Sequence, residues 1–171
     1  MKTAIIYYSF SGNTRRLVKF LRSRLSQAGT VVELNELKPV KEARSFFQQG
    51  SQAAAKARPA LLNPPLDLNA YDFLIFAGPV WAFTVCPALR TFIGLAVGLE
   101  GKKSAGLVTC GSEAPMFSRG GLKDLEAMLT QAGANIIFSR AIAGIRCANE
   151  KYLTEKLRDL FAIISSPLPN G

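Results

Sequence analysis

Five of the six residues from Ser9 to Thr14 could do chemistry together. Ser9, Ser11 and Thr14 carry hydroxyls, Asn13 carries an amide, and Gly12 has no side chain. A hydroxyl-rich loop ending where a helix begins is an anion cradle: the helix's free N–H groups and the positive end of its dipole face one point. One hydroxyl would serve as an N-cap; three, with a Gly and an Asn, exceed what capping needs. The donors are neutral, which suits a phosphate that is held rather than transferred. Other phosphate chemistries fail on residue type. No G-x-G-x-x-G follows the first strand, and Gly101-Lys102-Lys103-Ser104 misses a P-loop, with Lys103 where Ser or Thr is required and Ala96 in place of the first Gly. No acid ends the first strand, which argues against a receiver-type phosphoacceptor. No cysteine lies in the loop, which argues against a cysteine phosphatase.

The rest of the inventory narrows the chemistry further. The chain has no histidine, so Ser-His-Asp and Cys-His nucleophiles and His-ligated metals are excluded. Cys86, Cys110 and Cys147 form no Cys-x-x-Cys, and Cys86 and Cys110 have no His or obvious activating cation beside them; the three read as reduced, mostly buried thiols of a cytoplasmic protein. No residue is nominated as catalytic and no metal site is expected. Trp81, the single tryptophan, is expected in a strand-end loop, where its indole could stack on a planar ring system or plug the core. Glu113 and Arg119 flank a later loop and read as solvated charges, Arg119 also being able to meet an anionic substrate.

These residues need elements to position them. The 171 residues are one domain's worth of chain, 49% apolar and 19% charged. An apolar run over Thr3–Tyr8 predicts a strand. After it Leu17, Leu21 and Leu25 recur every four residues, predicting an amphipathic helix from Asn13 to Gly29. Further strands are expected over 30–35, 73–77, 105–109 and 136–143, and helices over 41–58, 87–97, 122–132 and 150–164. Pro59, Pro64 and Pro65 impose a loop, and 165–171 reads as a frayed tail of the single domain. Strands alternating with helices call for right-handed crossovers and a parallel sheet covered on both faces. Five strands in this length fit a three-layer sandwich with strand order 2-1-3-4-5, whose ligands bind beyond the carboxyl ends of strands 1 and 3. No apolar stretch reaches the roughly 18 residues of a membrane span, and no signal peptide is expected at the start.

Charge is uneven. The net charge is +9, and residues 1–30 hold Lys2, Arg15, Arg16, Lys19, Arg22 and Arg24 without one acid. Such a face fits an acidic partner, an anionic ligand, nucleic acid or plain solvation. Aromatic residues do not interleave with these charges, which argues against nucleic acid.

With the residues on the page, a resemblance is specific. Ser9-Phe10-Ser11-Gly12-Asn13-Thr14 resembles the FMN-phosphate loop of the flavodoxin family, [ST]-x-[ST]-G-x-T. Residues 71–83, ending Gly78-Pro79-Val80-Trp81-Ala82-Phe83, resemble that family's third strand and flavin-contacting loop, and Pro87–Ile93 the helix after it. The resemblance implies a flavodoxin-like fold over nearly the whole chain and FMN as cofactor. It implies that Ser9, Ser11, Gly12, Asn13 and Thr14 hold the phosphate. It also implies that Pro79, Val80, Trp81, Ala82 and Phe83 line the isoalloxazine, and that Cys110, Gly111 and Ser112 form a third wall. The implied role is an electron carrier between proteins, the net charge suggesting an acidic redox partner. The alternative on the same fold is an NAD(P)H-dependent quinone or flavin reductase. Ala82 stands where flavodoxins often have Gly, and the segment 46–63 matches no motif.

Overall fold

The computed structural model describes every residue except Arg44, Pro64, Pro65, Glu113 and 166–171; Pro115 and Phe117 are described by their backbone alone. The expected loop prolines 64 and 65, the acid Glu113 and most of the expected frayed tail lie outside the described residues.

Strands β1 (Lys2–Tyr7), β2 (Val31–Glu36), β3 (Phe73–Trp81), β5 (Lys103–Cys110) and β6 (Asn135–Ala143) form one parallel sheet in the order β2-β1-β3-β5-β6. A two-residue strand, β4 (Thr84–Val85), pairs antiparallel with the end of β3. Counting the parallel strands alone, the order is the 2-1-3-4-5 of the sequence reading. β1 and β3 are buried on both faces, so their apolar runs are unbroken rather than alternating. Their side chains divide between two cores. Ile5, Tyr7, Ile75 and Ala77 meet the helices α1 (Asn13–Gln27), α5 (Glu150–Lys156) and α6 (Arg158–Ser165) on one face. Ala4, Ile6, Leu74 and Phe76 meet α3 (Pro87–Leu95) and α4 (Pro115–Gln131) on the other.

Several expected boundaries move, each for a physical reason. The helix expected over 41–58 shrinks to α2 (Phe46–Ala54), capped by Ser45, whose side chain accepts from Gln48 N. Chain on both sides of α2 is tied to itself: Val40 N donates to Ala60 O at 2.8 Å and Leu62 N to Lys38 O at 2.7 Å, closing the segment at both ends. The third strand runs four residues past Ala77 because β4 folds back on it. Trp81 is thereby on a strand, not in the loop expected from sequence. Helix α4 starts seven residues before Leu122, with Pro at its first turn; the pair Gly120-Gly121 had hidden its first half. The expected last helix is two, broken at Leu157. The remaining differences are end shifts of one or two residues. None of the described helices is long and apolar enough to cross a membrane.

Burial has a consequence for alkaline stability. It pushes the Cys86 thiol up to about 12 and the Cys147 thiol up to about 11, from 9.0. Burial, helped by Glu33, pushes the Tyr71 phenol from 10.0 to about 12, and burial raises Tyr8 as well. Each group ionises more easily in the unfolded chain, so its contribution is complete below about pH 9 and is lost as pH climbs through 9 to 12. Thermal unfolding followed by circular dichroism should show a flat Tm between pH 6.5 and 8.5 and a steady fall from pH 9. A Tm unchanged at pH 10.5 would contradict this burial.

Candidate functional site

The two strands that flank the switch in chain direction, β1 and β3, stay paired up to Tyr7 and Ala77, where Tyr8 N donates to Ala77 O at 3.1 Å, and β3 runs on to Trp81. Beyond this edge the chain turns into α1 through Gly12, which has φ +87, a conformation that favours glycine. Gly12 is the N-cap and has no side chain to accept from the first-turn amides, which by helix geometry have no intrahelical acceptor. Ser9 is buried and its hydroxyl accepts from Arg15 N at 3.1 Å. Thr14 is buried and shares a 2.8 Å hydrogen bond with the Thr109 hydroxyl on β5, bracing the loop against the sheet. Ser11 is exposed at the surface, and Asn13 is half-buried, its amide oxygen accepting from the Arg16 guanidinium at 3.0 Å.

A cleft of about 280 Å³ opens here, lined by Ser11, Asn13, Phe46, Pro79, Val80, Trp81, Thr109, Cys110, Gly111, Gly144 and Ile145. Of the residues expected from sequence, the structure brings together Ser11, Asn13, Pro79, Val80, Trp81, Cys110 and Gly111. Ser9 and Thr14 lie behind the lining as loop braces, and Gly12, Ala82, Phe83 and Ser112 do not line it. Cys110 is buried, its thiol donating to Ser112 O at 2.9 Å. Phe46, Thr109 and the Gly144–Ile145 turn after β6 were missed. Phe46 lay in a segment without a motif, and nothing local marks a loop after a fifth strand as part of a site. The tertiary fold places Phe46 5.2 Å from the Trp81 ring and 5.1 Å from Phe10, forming an aromatic wall. The Trp81 indole N–H is buried in the cleft wall without an acceptor.

The segment that carries Phe46 is anchored through buried polar groups. Tyr8 donates to Glu42 Oε1 at 2.5 Å and accepts from the buried Gln49 amide on α2. Thr84 on β4 donates to Ala53 O at 3.2 Å, tying the far end of α2 to the hairpin.

The β3–β4 hairpin itself is strained. Its two-residue turn is Ala82-Phe83, with φ +45 and +62. Both values are positive, the pattern of a type I′ turn, which favours Asn-Gly. An L residue in this region costs roughly 1–2 kcal/mol. The surroundings hold the turn in place. A Cβ on Gly120 would sit 2.6 Å from the Phe83 carbonyl oxygen and one on Gly121 2.4 Å from Val80, so α4 presses directly on the hairpin. Asp124 on α4 accepts from Val85 N at 2.9 Å and pairs with the buried Arg90 of α3. Phe83→Gly should raise stability by about 1 kcal/mol, or roughly 2–4 °C in Tm for a chain of this size. A Tm that falls would show that the Phe83 side chain contributes packing which outweighs the strain.

Similarity to known proteins fits this architecture. Neither a family profile nor a curated protein sequence matches the chain. Solved structures do. A Bacteroides uniformis protein provisionally termed a flavoprotein is 22% identical, with a TM-score of 0.74 over 92% of this chain and 97% of its own. A flavoprotein in complex with FMN from Lactobacillus acidophilus is 21% identical, with a TM-score of 0.68 over 88% and 97%. An NADH:FMN oxidoreductase in its apo form is 17% identical, with a TM-score of 0.64 over 98% and 91%. A flavodoxin from the domain Archaea matches as well. The chain has the flavodoxin-like α/β fold.

Proposed function

We propose that the chain binds FMN in this cleft and passes electrons between protein partners. One observation carries the reading: a single cleft has neutral donors on a helix N-terminal loop at one end and, at the other, an aromatic wall whose buried indole N–H lacks an acceptor. That donor set matches a phosphorylated flat ring. Ser11, Asn13 and the first-turn amides of α1 would hold the phosphate, with Ser9 and Thr14 fixing the loop. Pro79, Val80 and Trp81 would line the ring, with Cys110 and Gly111 on its other side. FMN, when bound, supplies the redox chemistry itself. The protein's part is to bind it, orient it and exclude water from its inner face.

Titrating the flavin-free protein with FMN while following Trp81 fluorescence should show quenching at micromolar flavin and a shifted visible band; neither change would overturn the reading. Riboflavin lacks the phosphate and should bind at least about tenfold more weakly, since hydrogen bonds to charged groups are worth roughly 1.5–3 kcal/mol each. Asn13→Ala should weaken FMN and leave riboflavin nearly unchanged.

A second reading, an NAD(P)H-dependent quinone or flavin reductase, is favoured by the NADH:FMN oxidoreductase among the matching structures. Anaerobic mixing of the FMN-loaded protein with NADH and NADPH separates the two. An electron carrier should bleach slowly, on the scale of minutes or longer. Bleaching within seconds, followed by turnover on a quinone, would establish the reductase instead.

A further inference from the structure

Large apolar side chains are exposed on the segments that form and flank the cleft. Phe46 is 60% exposed, Phe47 86%, Phe83 60%, Met116 70% and Ile145 82%. They come from four separate segments. Phe46 and Ile145 line the cleft itself, and Phe47 follows Phe46 on α2. Phe83 is at the tip of the β3–β4 hairpin, and Met116 is in the first turn of α4, whose Gly120 abuts the Phe83 backbone. Exposed patches of this kind mark contact surfaces.

Phe83 is the most informative member. It holds a backbone conformation that costs stability, and its ring is mostly in water, so the side chain returns little to the fold. Glycine would serve the turn better. Strain kept at such a position is a sign of use, and an exposed aromatic has its use in contact with another molecule.

The charges beside these side chains favour one kind of molecule. Arg119 neighbours Gly120 under the hairpin; Arg146 follows Ile145, its guanidinium 3.9 Å over the Tyr152 ring; Arg16 holds the Asn13 amide at the cleft edge. All three are exposed, and among the described residues none is in an ion pair. Among the described residues, Glu36 is paired with Arg15 and Glu42 accepts from Tyr8. Aromatic residues and Met at the centre with Arg around them is the composition of a protein–protein interface. The +9 net charge opposes a second copy of the same chain and attracts a negative surface.

We infer that these segments form a docking surface for an acidic redox protein, with Phe47, Phe83, Met116 and Ile145 as its apolar centre and Arg16, Arg119 and Arg146 as its basic margin. This rests on the electron-carrier reading, but docking is measured without flavin. The probe is a plant-type [2Fe–2S] ferredoxin of strongly negative charge, titrated calorimetrically into the flavin-free and the FMN-loaded protein. Both forms should bind it, with affinity falling at least tenfold between 50 and 300 mM salt. Phe47→Ser combined with Met116→Ser should weaken binding about tenfold and leave the FMN affinity unchanged. Phe83→Gly should weaken binding while raising Tm, a pairing that damage to the fold cannot produce. Arg119→Ala should flatten the salt dependence. Binding unchanged in all these variants, or no binding at 50 mM salt, would overturn the inference. So would sedimentation showing a wild-type dimer that Phe47→Ser and Met116→Ser dissociate, since a second copy would then cover that surface. Failure of FMN to bind, with ferredoxin docking intact, would count against the cofactor and not against the surface.

Discussion

Everything at the functional edge depends on the parallel pairing of β1 with β3, Thr3 against Phe73 through Tyr7 against Ala77. The chain between them leaves to form β2 and returns, so successive connections depart on opposite sides of the sheet. α1 covers one face and α3 the other, and a gap opens where they diverge. No side chain creates that gap; it follows from strand order and the handedness of the crossovers. The pairing ends at Tyr7 and Ala77, and β3 continues past that edge to Trp81. That brings a helix N-terminus and the Trp81 wall to one cleft although 67 residues separate Thr14 from Trp81.

Around this frame, polar groups are used to hold backbone in place. Ser9 and Thr14 look in sequence like ligand donors, yet one receives Arg15 N and the other braces against Thr109. Tyr8, Glu42 and Gln49 fix the α2 segment from beneath, and Asp124 fixes the hairpin from the side. Buried groups of this kind are costly when unpaired, so each contact specifies one position for the loop it serves. The hairpin shows the opposite balance. Its turn residues oppose its geometry, and the tight approach of α4 at Gly120 and Gly121 keeps it there. The result is a rigid wall beside the cleft with apolar side chains turned outward.

Much of this was legible in the chain. Unbroken apolar runs marked the inner strands because both faces of a parallel sheet are buried. The four-residue spacing of Leu17, Leu21 and Leu25 marked α1, and the Ser9–Thr14 loop announced itself by composition. Local pattern could do this because each of these features is set by a residue's own neighbours in the chain. It failed where distant contacts decide: α2 is short because the chain on either side closes on itself, and Trp81 is on a strand because β4 folds back on β3. The sequence by itself determined the fold class, the strand order and the two loops that define the cleft's ends. Only the tertiary structure decided that Phe46 and Ile145 complete its walls and that Phe83 occupies a strained turn. Those are contacts between segments far apart in sequence, and no periodicity or composition within either segment encodes which partner it will meet.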